Sequence, residues 1–63
     1  MARFVEFESI YGRKLFINVE SIEDVYERED DSCRIDLISG PDDFFHVKGD
    51  YDKVTSIIHD ALS

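Results

Sequence analysis

The sequence contains no tryptophan, one proline, one methionine and one cysteine, and its three glycines, Gly12, Gly40 and Gly49, stand far apart. Each scarcity excludes something. A lone Cys33 can form no internal disulfide and leaves no cysteine pair for a zinc or dithiol site, so nothing in the chain requires an oxidising compartment. Isolated glycines build neither a phosphate-cradling loop nor a dinucleotide turn, and no HExxH or GxSxG motif is present. Bases are scarce as well. Seven of them against fifteen acids give a net charge of −8, which repels phosphate backbones and anionic lipid heads, so direct binding of nucleic acid or membrane is not expected. No apolar run approaches the ~20 residues of a membrane span, and the first residues lack the basic-then-apolar layout of a signal peptide. The expectation is a cytoplasmic protein, in whatever bacterial cell makes or receives it.

With 63 residues the chain makes one domain, 1–63, and hides only about 60% of its unfolded surface, which argues against a deep catalytic cleft. The apolar share, 43% with five Phe and three Tyr, is nevertheless high enough for a packed core and too high for an acidic disordered tail. Cys33 fits that core as a small buried residue.

Local patterns supply the elements. "RFVEFESI" alternates, with Val5 and Phe7 on one face and Phe4, Glu6 and Glu8 on the other. After the turn at "YGRK", "LFIN" repeats the alternation with Leu15 and Ile17, which predicts a hairpin. "VESIEDVYERE" fits either a helix capped by Asn18 or a turn leading into a strand, and the β-branched Val25 beside Tyr26 favours the strand. "CRIDLIS" puts Cys33, Ile35 and Leu37 on one face and Arg34, Asp36 and Ile38 on the other. "GPDD" breaks that strand, and "FFHVK" reads as the last of the meander. In "DYDKVTSIIHDALS", Asp50 is placed to cap a helix whose apolar stripe is Tyr51, Val54, Ile58, Ala61 and Leu62. The predicted fold is α+β, a small antiparallel sheet of four or five strands with one C-terminal helix packed on one face.

A helix covers only one face of a sheet. Phe4, Phe16 and Ile38 then lie on the uncovered face, a candidate apolar contact surface. The other candidate is electrostatic. Glu23, Asp24, Glu27, Glu29, Asp30 and Asp31 crowd one short stretch, and Asp36, Asp42 and Asp43 extend the acidic set. A charge run at a turn also reads as a solvated loop. On strands, however, alternate residues stand about 6.5–7 Å apart, the order of spacing that a Lys- and Arg-lined groove meets along a nucleic-acid backbone. His46 and His59 could join Asp60 at a metal, but their separation matches no ligand pattern, and the acids after Asp30 lack the glycine and glutamate of a calcium loop. No catalytic residue, cofactor or metal is expected.

Two resemblances follow from these residues. The order "LFIN", "IEDV", "RIDLISG" and "DYDKVTSII" resembles the small flagellar FlbD-type proteins and related short phage or plasmid proteins, although "SGPDD" stands where that pattern has an "NG" turn. This resemblance implies a small interaction adaptor using the apolar sheet face. In size and acidity, by character and not by motif, the chain also resembles phage-encoded anti-CRISPR proteins. That resemblance implies a non-catalytic inhibitor that mimics DNA on a basic nucleic-acid-recognition surface of a host defence complex, such as a CRISPR effector subunit. The acids named above would be its contact residues. A protein partner with a basic surface is thus expected, with a monomer favoured over a dimer.

Overall fold

The computed structural model describes residues 3–63. Its elements are strands β1 (Phe4–Glu8), β2 (Lys14–Asn18), β3 (Ile22–Glu27), β4 (Ser32–Leu37) and β5 (Phe44–Lys48), then helix α1 (Tyr51–Leu62). The ambiguous segment resolves into both of its readings in turn. Asn18 caps a single 3-10 turn over Val19–Ser21, its side chain accepting from the Glu20 amide, and the chain then extends into β3.

The five strands form two antiparallel sheets where the sequence suggested one: β1 with β2, and β3-β4-β5 in that order. A bridge between Ser9 and Val47, with the Ile10 amide donating to the His46 carbonyl at 3.0 Å, joins them. Across this joint the strands run β2-β1-β5-β4-β3. The outermost strands are therefore the two consecutive ones, linked by the 3-10 turn, so the array curls around its own concave face. Ser9 is the reason the pairing stops. Its side-chain oxygen accepts from the Tyr11 and Arg13 amides, which turns the chain back before β1 can extend along β5.

The concave face holds Phe7, Ile17, Cys33, Ile35 and Val47, closed by Val54 of the helix. Val5, Leu15, Val25, Leu37 and Phe45 pack around them. Asp50 caps α1 as its sequence position predicts, accepting from the Lys53 amide at 2.8 Å. At the other end the Arg3 guanidinium donates to the Ala61 and Leu62 carbonyls, a cation where the helix dipole favours one. The buried stripe differs from the predicted one. It is Val54 with the half-buried Ile57, Ile58 and Ala61 beside it, whereas Tyr51 and Leu62 are exposed. Gly49 sets the approach: it holds φ +117°, and a Cβ there would stand 3.3 Å from Val54.

Among the described residues no helix is long and apolar enough to cross a membrane.

Candidate functional site

The convex face of the three-stranded sheet is polar because period-two alternation turns Asp24 and Tyr26 of β3, Arg34 and Asp36 of β4, and Phe44 and His46 of β5 outward. Register then decides who meets whom. Asp24 lies opposite Asp36, Tyr26 opposite Arg34, Arg34 opposite His46, and Asp36 opposite Phe44. Two carboxylates placed side by side cannot both be freely ionised, and their surroundings separate them. Hydrogen bonding from the Tyr26 hydroxyl and from Arg34, whose Nε donates at 2.8 Å, holds the Asp36 carboxyl down at about 2. Asp24 is pushed up, first because its hydrogen bond to Asp36 needs its proton, then by desolvation and the Asp36 charge. The Tyr26 hydroxyl is pushed up for the same reason, since it donates to Asp36.

Arg34 is fixed from a second side. Its guanidinium carbon sits 3.9 Å from the centre of the Phe44 ring, and Phe44 leans on His46 at 5.2 Å. His46 is pushed down by partial burial and by the positive charges of Arg28 and Arg34. Glu23, Asp24, Tyr26, Arg34, Asp36, Gly40 and Pro41 line a shallow depression of about 190 Å³ beside this network. It is open to solvent along its length.

The predicted acidic residues divide by position. Asp36 is almost covered, 9% exposed, and committed to Arg34, so it faces no partner as a free charge. Glu29, Asp30 and Asp31 form the β3–β4 turn. Within it Asp30 is tied down: Ser32 donates to it at 2.5 Å, Arg28 stands 3.5 Å away, and these contacts lower its pKa, the Ser32 hydrogen bond most. Asp31 takes the left-handed conformation, φ 58°, that Asp tolerates in a turn. Asp42 and Asp43 lie in the β4–β5 turn at the opposite end of β4, where Ser39 donates to Asp43 at 2.7 Å. Glu27 pairs with Cys33 and so stands on the concave side, at the rim. Glu23, Asp24 and Glu27 belong to β3, which has a strand neighbour on one side only, and Glu29 and Asp31 belong to the turn that follows it. All five are exposed.

Of the apolar trio, Phe4 and Phe16 come together. Their rings stack at 5.0 Å on the outer face of β1–β2, 49% and 71% exposed. Ile38 is exposed but lies past the end of β4, away from them. Cys33 is fully buried, and burial raises its thiol pKa. Among the described residues no three His, Cys, Asp or Glu side chains gather as metal ligands would.

Sequence reasoning missed Tyr26, Arg34 and Phe44, the residues that organise the carboxylate pair. Arg34 and Asp36 two positions apart on a strand gave part of the signal, but the cross-strand partners depend on register.

Comparison with known protein families, with curated proteins and with solved structures finds no match.

Proposed function

We propose that this protein is a non-catalytic acidic inhibitor that lays the open side of β3 and its following turn on a basic, nucleic-acid-binding surface of a host defence complex, in the manner of an anti-CRISPR protein. The observation that carries the reading is the group of exposed carboxylates Glu23 and Glu27 of β3 and Glu29 and Asp31 of the turn after it, without an ion pair among the described residues. Complementary potentials accelerate the encounter of such charges with a basic groove. Asp36, paired with Arg34, contributes no free charge to this group. The overall charge of −8 acts in the same direction.

Competition tests the reading. The protein should displace duplex DNA from a candidate CRISPR effector, and displacement should weaken as salt shortens the reach of the charges. Glu27→Lys with Glu29→Lys should abolish displacement while leaving the fold intact, since exposed charges contribute little to stability. Equal displacement by wild type and double variant would overturn it.

A further inference from the structure

The outermost strands of the array, β2 and β3, each have one side without a strand neighbour. An open edge offers unpaired main-chain groups to any passing strand, and proteins blunt such edges with charge, proline or bulges. β3 has both a bulge between Ile22 and Asp24 and three carboxylates, Glu23, Asp24 and Glu27. β2, with the sequence KLFIN, has no proline, bulge or carboxylate, and its one charge, Lys14, stands at its first position. It is the one outer strand without an acid in a chain of net charge −8, and its central side chain, Phe16, is 71% exposed.

The register shows what the bare edge can accept. The Ser9 amide donates to the Arg13 carbonyl and the Val19 amide to the Arg3 carbonyl, so the odd-numbered residues of β2 spend their main-chain groups on β1. Lys14, Phe16 and Asn18 therefore turn theirs outward. These positions are symmetric about Phe16. We propose that β2 pairs antiparallel with β2 of a second copy across a two-fold axis at Phe16, extending the sheet through a homodimer.

In that arrangement Phe16 exchanges both main-chain hydrogen bonds with Phe16 of the second copy, and the Asn18 amide donates to the Lys14 carbonyl across the axis. Side chains agree with the backbone. The Phe4–Phe16 stack continues into its symmetry mate as one aromatic row, a cross-strand pairing that favours an antiparallel sheet. Lys14 meets Asn18, not another Lys14. The nearest like charges on that face, Glu6 and its mate, lie three strand spacings apart, about 14 Å, beyond the ~8 Å screening length at physiological salt. The contact is isologous and closes on itself, which stops the edge from recruiting further copies. It is also small, so association is expected to be reversible and concentration-dependent. The acidic β3 edges stay free on both subunits, and the inference does not depend on what they bind.

The salt response separates the two ideas. Two copies of charge −8 repel at long range, so added salt should strengthen the dimer, whereas it should weaken docking on a basic partner. Sedimentation of the full chain over a concentration series, at about 0.05 M and about 0.5 M NaCl, should show mass rising from 7.3 kDa toward twice that value, more fully at the higher salt. Phe16→Glu sets like charges on the axis and should weaken association about tenfold or more, a change of about 1.4 kcal/mol. Phe16→Ser, with the helical circular-dichroism signal of wild type, should also weaken it. Phe16→Cys places two thiols on a pair whose Cα atoms are about 5.5 Å apart, within disulfide reach, so oxidised glutathione should drive it to a covalent dimer through exchange. Glu6→Cys, on the same face one strand further in, should not cross-link. Monomer mass at every concentration and both salts, an undiminished dimer in Phe16→Glu, or equal cross-linking by the two cysteine variants would each overturn the proposal.

Discussion

Strand β3 leaves its outer side uncovered with Glu23, Asp24 and Glu27 along it, whereas β2 leaves Lys14, Phe16 and Asn18 uncovered with no carboxylate at all. The two strands are consecutive in the chain, of nearly equal length, and close opposite ends of the same curled array. Their exposed edges nevertheless advertise opposite chemistry. Carboxylates on β3 repel another strand of this acidic protein, and under the proposed function the same charges would meet a basic surface. The β2 edge repels nothing at short range. The lesson is that an edge is defined by what it refuses as much as by what it accepts, and that only one of these edges refuses its own kind.

The largest effect should come from the core that both edges share. Val54 is 1% exposed and closes the cluster around Ile35 and Val47, so Val54→Asp sets a charge with no ion-pair partner where water is absent. Several kcal/mol of destabilisation is expected against the roughly 5–15 kcal/mol available to a small domain, and both edges should unfold in one transition. Thermal circular dichroism checks this; separate transitions for the two sheets would show that the Ser9–Val47 joint does not couple them.

A smaller effect should belong to the β3 side alone. Asp36 has a folded pKa of about 2, below the ~3.9 of an unfolded aspartate, so its contribution is complete above about pH 4 and is lost as pH falls toward 2. Asp24 works in the opposite sense. Its raised pKa means that stability declines as pH rises through its folded value, because ionisation breaks its hydrogen bond to Asp36. Asp36→Asn should therefore flatten the acid limb of a denaturation-against-pH curve, and Asp24→Asn should raise the thermal midpoint at neutral pH. A wild-type acid limb retained in Asp36→Asn would assign it to other carboxylates.

The smallest effect should fall on β2. Phe16→Ser removes a ring that touches Phe4 and otherwise faces solvent, and monomer stability should change by no more than about 0.5 kcal/mol by chemical denaturation at low protein concentration. A loss of several kcal/mol would mean that the ring belongs to the fold and that the contrast between the edges is illusory.

Much of the local structure was legible because it rests on local chemistry. "GPDD" ended β4, "FFHVK" matched β5 residue for residue, and Asp50 capped α1, since turn dihedrals, side-chain alternation and capping hydrogen bonds each involve residues within a few positions of one another. The segregation of Phe4 and Phe16 from Phe7 and Ile17 was legible for the same reason. The helix stripe was read too generously at Tyr51 and Leu62, because period alone does not say where the surface beneath a helix stops. The acidic set was visible residue by residue, yet its division was not: Asp36 and Asp30 are neutralised by Arg34 and Arg28, while Glu27 and Glu29 are left to solvent.

Charge, alternation and turn positions follow from the side chains present and their spacing along the chain, and with them an antiparallel sheet of four or five strands, one C-terminal helix and an acidic exterior. The tertiary structure decided three other things: the break into two sheets at Ser9, the pairing of Asp24 with Asp36, and the choice of β2 and β3 as the open edges. Each depends on which strand lies beside which. That is fixed by the closure of one small core over Ile35, Val47 and Val54, residues brought together from distant parts of the chain whose meeting no local pattern encodes.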